Sequence, residues 1–158
     1  IVNTWSEENL ATILMGYGEE RFHKRIAHAI TESRKEKSIE TTFDLVHIIE
    51  KSVPASYKRG NIHCATRTFQ ALRMAVNDEL GALLAGLTNG FGCLKSGGRM
   101  AVISFHSIED RIVKNFFKTQ ASLGYAKLVN KKVITASPEE AKNNPRSRSA
   151  KLRILEKI

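Results

Sequence analysis

Apolar residues recur at helical spacing through the opening segment of the chain. Leu10, Ile13 and Leu14 form one stripe, with Ser6 ahead of it as a cap. Glu7 and Glu8 sit in the first turn, where carboxylates suit the positive end of the helix dipole. Gly16 and Gly18 end that helix. Glu19 and Glu20 are read as opening a second helix. It places Phe22, Ile26, Ala29 and Ile30 on one face and Arg21, Lys24, Arg25 and His28 elsewhere. After a charged break at 35–38, Thr41 or Thr42 caps a third helix carrying Phe43, Val46, Ile49 and Val53, which stops at Pro54. Residues 54–63 read as a loop. Phe69, Leu72, Val76, Leu80, Leu83 and Leu87 then keep helical spacing, and one long helix is expected from Thr66 to Leu94.

The period changes at Gly97-Gly98, which permit a sharp turn. Met100 to Ile103 form the short apolar run of a strand covered on both faces. Ser104, His106 and Ser107 supply polar groups where that strand ends. Ser107 with Asp110 reads as a capping box for a helix whose core face is Ile108, Ile112, Val113, Phe116 and Phe117. One strand is expected within 125–135, a short helix at Pro138–Lys142, and a final strand over Ser149–Lys157. Three helices therefore precede an α/β segment of about three strands, a thin sheet for a doubly wound domain. Partner strands are expected in an N-terminal segment outside this chain. Open parallel sheets bind ligands beyond the carboxyl ends of their strands, so Ser104, His106 and Ser107 mark a candidate site.

Charge adds a partner class. Residues 1–50 hold six Lys+Arg against nine Asp+Glu, and residues 51–158 hold nineteen against seven, for a net of +9. A basic second half points to a polyanion, most often nucleic acid. Arg146, Arg148, Lys151 and Arg153 form its densest cluster. His63, Thr66, Arg67, Thr68 and Gln70 lie at the entrance of the long helix, where a helix N-terminus suits phosphate, and Arg73 further along it is another candidate for RNA. The plainer reading of both groups is a solvated face and an ordinary cap. His106 has the same two readings, a loop-holding hydrogen bond or the wall of a base pocket. Arg111 is a further candidate for RNA. A hydrolase reading of Ser104-His106-Ser107 fails, since no G-x-S-x-G elbow accompanies it. Cys64 and Cys93 form no C-x-x-C pair, which argues against structural zinc, and no metal is expected. Nothing demands a disulfide, and no apolar run is long enough to span a bilayer. A reducing, cytoplasmic location is the simplest reading.

Four segments in series resemble one family. They are Tyr17-Gly18-Glu19-Glu20-Arg21-Phe22 with Lys24-Arg25-Ile26; His63-Cys64-Ala65-Thr66-Arg67-Thr68-Phe69-Gln70-Ala71-Leu72-Arg73 with Val76-Asn77-Asp78-Glu79-Leu80; Gly97 to Arg111; and Asn144 to Arg153. Together they are similar to the ribosomal small-subunit RNA methyltransferase H family, also called MraW. The resemblance implies S-adenosylmethionine-dependent methylation of the exocyclic N4 of a cytidine in small-subunit rRNA. It implies an α/β fold: residues 63–158 as the C-terminal half of a class I, Rossmann-like methyltransferase sheet, and residues 1–62 as most of an all-helical inserted domain. It places the cofactor mainly in the N-terminal half outside this chain, so this chain alone is expected to be inactive and to bind S-adenosylmethionine weakly or not at all. Ser104, His106 and Ser107 would line the target-base pocket. The basic residues named above would meet small-subunit rRNA or the ribosomal subunit. Where the family often has Pro after His63, Cys64 stands here. Two rivals are an inert stand-alone RNA-binding module and a protein-interaction module built on the first helices. An exposed half-sheet also allows a homodimer.

Overall fold

A computed structural model describes residues 1–158 as eight α-helices, one 3-10 helix and a four-stranded sheet. The chain divides into two compact units, Ile1–Glu79 and Leu80–Ile158. The first holds eleven Lys+Arg and eleven Asp+Glu, the second fourteen and five, so the whole excess of positive charge lies on the second.

The first unit is helical. It contains α1 (Glu7–Gly16), α2 (His23–Glu36), α3 (Thr42–Ser52), the short α4 (Ala55–Lys58) and α5 (Thr66–Asn77). Helix α2 packs on both α1 and α3, and α1 also packs on α5. Leu10, Leu14, Ile26, Ile30, Ile49 and Ala71 are fully buried at these contacts. Ser6 caps α1 as expected, and Thr41 with Asp44 makes a reciprocal capping box for α3. The buried stripe of α3 runs through Leu45, Ile49 and then Val53, while Phe43, expected on it, stands 82% exposed.

Three sequence expectations in this region are corrected. Helix α2 begins at His23, four residues later than the Glu19 start. Glu19 takes a left-handed φ of 48° and Glu20 turns its side chain inward instead of lining a first turn. Residues 55–58 within the expected loop form α4. The long helix is broken at Asp78, whose φ of 47° is left-handed, and a second helix, α6 (Glu79–Cys93), starts beyond it. Asp tolerates that conformation better than most residues, so the apolar spacing survives a break that periodicity cannot register. Because α5 packs on α1, the compact units part after Glu79, well beyond position 62.

The second unit carries α6, β1 (Arg99–Ser104), α7 (Ser107–Ser122), β2 (Ala126–Leu128), β3 (Ile134–Thr135), α8 (Pro138–Asn143), a 3-10 helix (Pro145–Ser149) and β4 (Lys151–Lys157). Strand β4 is central. It pairs antiparallel with β1, setting Arg99 opposite Glu156 and Ser104 opposite Lys151, and antiparallel with β2 and β3 on its other side. All pairings are thus antiparallel, which corrects the parallel sheet expected from the sequence. Strands β1 and β2 nevertheless run in the same direction, joined by α7, with β4 inserted between them. The single strand expected in 125–135 is two. Asn130 stands between them, its carboxamide oxygen accepting from the Ile154 N–H at 2.7 Å and its nitrogen donating to the Lys132 carbonyl at 2.7 Å.

The core of this unit is Leu87, Phe91, Val113, Phe117, Ala126 and Leu155, with Met100 and Val102 of β1 packed on it. The other face of β1 is uncovered: Ala101 is exposed and Ile103 is 58% exposed. The apolar run 100–103 predicts cover on both faces, and this chain supplies it on one. The C-terminal carbonyls of α6 are met by Lys157, whose Nζ donates to Leu94 O at 2.8 Å and Phe91 O at 3.2 Å.

Candidate nucleic-acid interface

Because β1 and β4 are antiparallel, the carboxyl end of β1 meets the amino end of β4. Ser104, buried, therefore lies opposite Lys151. The 3-10 helix that leads into β4 brings Arg146 and Arg148 to the same strand end. Ser147 between them is buried, and its hydroxyl donates to the Asn144 carbonyl at 2.8 Å. Pinning that residue leaves both arginines exposed.

The turn from β1 into α7 is built one residue earlier than expected. The N-cap is His106, whose Nδ1 accepts from the Glu109 N–H at 3.3 Å, while a Glu109 carboxylate oxygen accepts from the Phe105 N–H at 3.0 Å. Imidazole Nε2 stands 3.3 Å from the other Glu109 oxygen. Thus His106 and Glu109 perform the exchange assigned to Ser107 and Asp110, and His106 is a positioning residue that fixes the strand end. Ser107 is the first, exposed residue of α7, with Arg111 exposed one turn later.

Asp110 is thereby released for another partner. Arg153 Nε and Nη2 donate to its two oxygens at 2.7 and 3.0 Å. Both side chains are only 14% exposed. The hydrogen bonds from Arg153 hold the Asp110 carboxyl below the usual carboxylate range, against burial, which pushes it up. Arg153, expected to face RNA, is instead committed to tying β4 to the first turn of α7.

The structure adds cations that the sequence reading passed over. Lys114 and Lys118 of α7 line, with Lys131, a small hollow of about 40 Å³ beside Asn130. Like charges four apart on a helix repel, so the 114/118 pair is a signal that could have been read.

In the first unit the expected residues separate. Thr66 is exposed at the start of α5, and His63 is exposed with Nε2 3.7 Å from Glu50. Arg67 is half-buried and donates to the Glu19 carbonyl at 3.1 Å. Thr68, expected at the RNA face, is fully buried in the helical core. Arg73 makes a bidentate pair with Glu79 at 2.7 and 3.0 Å. Glu50, His63 and Cys64 offer three potential metal-ligand atoms within 4.8 Å of one another. Two features oppose ligation there: His63 Nδ1 accepts from the Ala65 N–H, and burial pushes the Cys64 thiol up.

Sequence reasoning missed Glu20. It is 1% exposed, and its carboxyl accepts from the Phe22 N–H at 2.9 Å and the Tyr57 hydroxyl at 2.7 Å. Burial first, and then the bond to Glu20, pushes the Tyr57 phenol up to about 12, so it stays a neutral donor. Tyr57→Phe leaves one buried oxygen short of a partner. It is expected to lower stability by about 2 kcal/mol in urea unfolding, with the m-value unchanged.

The glycines test whether a nucleoside cofactor can be cradled here. Gly90 and Gly92 lie inside α6, and Gly97-Gly98 precede β1. None follows a strand and opens a helix, the context such a loop requires, so these residues do not fit the adenosyl cofactor.

A family model described as the MraW methylase family matches residues 1–158. The ribosomal RNA small subunit methyltransferase H of Persephonella marina is 48% identical over 158 residues, covering 100% of this chain and 54% of that protein. The proteins of the same name from Synechocystis sp. and Coprothermobacter proteolyticus are 52% and 53% identical, with 50% and 52% of their lengths covered. The chain spans about half the length of the curated relatives it matches.

Proposed function

The chain belongs to the MraW methylase family, and from that membership we propose that it is the acceptor side of an S-adenosylmethionine-dependent enzyme that methylates the exocyclic N4 of a cytidine in small-subunit rRNA. The observation that carries the reading is the whole-length match to this family, joined to a cationic strand end where Lys151 lies opposite Ser104 and Arg146 and Arg148 precede it in the chain. In this reading residues 1–62 are most of a helical insert and residues 63–158 the closing half of a class I sheet, in the cytoplasm. The uncovered apolar face of β1 supports it, since an independent module would leave Ala101 and Ile103 in water for no gain.

This chain's share of the chemistry is placement of the acceptor. A cytidine amine needs its hydrogens held by acceptors so that its lone pair is aimed. The Ser104 and Ser107 hydroxyls and the carbonyls of the 104–107 turn have that capacity. His106 acts through the turn it caps. Arg146, Arg148 and Lys151, with Lys114, Lys118 and Lys131, would hold phosphates and set the register of the RNA. The methyl donor is assigned to the remaining half of the whole protein.

The test uses that whole protein and small ribosomal subunits lacking the modification, with N4-methylcytidine read by mass spectrometry. In parallel, RNA affinity is measured from 50 to 200 mM salt. Arg146→Ala with Arg148→Ala should cut affinity at least about tenfold and flatten the log–log salt slope by about 2. An unchanged slope would remove the strand end from the RNA interface. Methylation of protein but not RNA would end the reading.

A further inference from the structure

A second cavity lies inside the helical unit. It encloses about 260 Å³ between the start of α2 and the α4 segment, and Arg21, Phe22, Tyr57, Gly60, Ile62 and Arg67 line it. We propose that this cavity receives one unpaired nucleotide of the RNA, its base against the Phe22 and Tyr57 rings and its phosphate between Arg21 and Arg67. The proposal rests on the RNA reading above and goes beyond it in naming a single-strand subsite.

The two rings are held, not merely adjacent. Their centroids are 4.9 Å apart at 70°, an edge-to-face pair. Buried Glu20 takes the Tyr57 hydroxyl at 2.7 Å, so that ring cannot swing away without leaving a buried carboxyl short of a partner, and it takes the Phe22 main-chain N–H at 2.9 Å, which fixes the backbone from which the Phe22 ring projects against Tyr57. An aromatic surface fixed in advance costs no ordering when a base stacks on it. Both rings are only half-buried, and Ile62 at the rim is 47% exposed, so apolar surface faces the cavity.

The charges are of one sign. No carboxylate lines the cavity, because Glu20 lies behind the rings. The Arg21 guanidinium sits 4.8 Å over the Phe22 ring, and Arg67 is steadied by one bond to the Glu19 carbonyl. Arginine has five donors, so an oriented Arg67 keeps others for a phosphate. Lys58 and Arg59 adjoin Tyr57 in the chain and are exposed, extending the cationic rim. A duplex does not enter a cavity of this size. Two aromatic rings beside two arginines suit a splayed single-stranded nucleotide, whose base stacks while its phosphate is forked. A phosphorylated peptide would use the arginines and leave the rings without a role.

The experiment uses the full-length protein and a single-stranded oligoribonucleotide carrying one 4-thiouridine, stepped along the sequence. Irradiation should join the thiobase at one position to Phe22 or Tyr57, located by peptide mass spectrometry. An abasic nucleotide at that position should weaken binding by about tenfold, and Phe22→Leu, which keeps the apolar contact but removes the π face, by a similar factor. The two losses together should be no larger than either alone. Arg21→Ala, at an exposed side chain, should flatten the salt slope by about 1. If cross-links fall only on the Arg146–Arg148 segment and the Phe22 and Arg21 variants bind as wild type, the subsite is wrong while RNA binding stands. If the unmodified protein binds no RNA, both readings fall. A phosphoserine peptide displacing the oligonucleotide from Phe22 at lower concentration would also overturn the proposal.

Discussion

Arg153→Met is expected to lower the stability of the sheet unit by about 2–3 kcal/mol, below the range for breaking one side of a fully buried ion pair because both partners keep some contact with water. The cost comes chiefly from what remains. Asp110 is 14% exposed and takes two guanidinium bonds at 2.7 and 3.0 Å, so the variant leaves a largely desolvated carboxylate without its bidentate partner. The pair itself need not be strongly stabilising. Replacing both members, as in Arg153→Met with Asp110→Leu, should therefore recover most of the loss. The pH dependence carries the sign. Asp110's carboxyl is depressed in the folded state by Arg153, so its contribution is present above the unfolded carboxylate pKa and is lost as pH falls through the folded value. The gap between wild type and Arg153→Met in urea unfolding should be full at pH 7 and shrink below about pH 4. A gap that stays constant into strong acid would mean that packing of the arginine stem, and not the ion pair, sets the cost.

The fate of Arg153 shows which features were legible in the chain. Apolar spacing placed α1, α3 and α7 closely, because burial of a stripe is what spacing encodes. The cap of α1 was legible too, since Ser6 followed by Glu7 and Glu8 has a local mechanism. Partners distant in sequence were not. Nothing near Arg153 announces Asp110 forty-three positions earlier, so a cluster of four basic residues read as one surface when one of them is turned inward. Asp78 and Glu19 broke expected helices through backbone conformations that a polar residue permits without demanding. Glu20 looked like a first-turn carboxylate, and only the fold brings Tyr57 to it. The family was legible because four segments in order are far more specific than any one, and the whole-length match bears that out.

Gly18→Ala should destabilise the helical unit by about 3 kcal/mol, while Gly16→Ala two residues earlier should be neutral or slightly stabilising. A Cβ at position 18 would stand 2.6 Å from the Arg67 carbonyl oxygen, 2.8 Å from the Leu14 carbonyl oxygen and 3.3 Å from the Ala71 Cβ. Two of those atoms are main chain and cannot rotate aside. Relief requires α5 to back away from the end of α1, the contact that seats Leu14 against Ala71 in the core. The Leu14 carbonyl also accepts from the Glu20 N–H at 3.0 Å, so the same displacement disturbs the turn that holds Glu20 under Phe22 and Tyr57. Around Gly16 nothing lies within 4 Å, and it is the last residue of α1, where alanine restricts the unfolded chain at no steric cost. Thermal unfolding of the two variants side by side separates a close-approach requirement from a general need for flexible glycine. Equal losses at 16 and 18 would refute the close approach. A loss confined to 18 that carries weakened oligonucleotide binding with it would tie the α1–α5 contact to the position of Arg67.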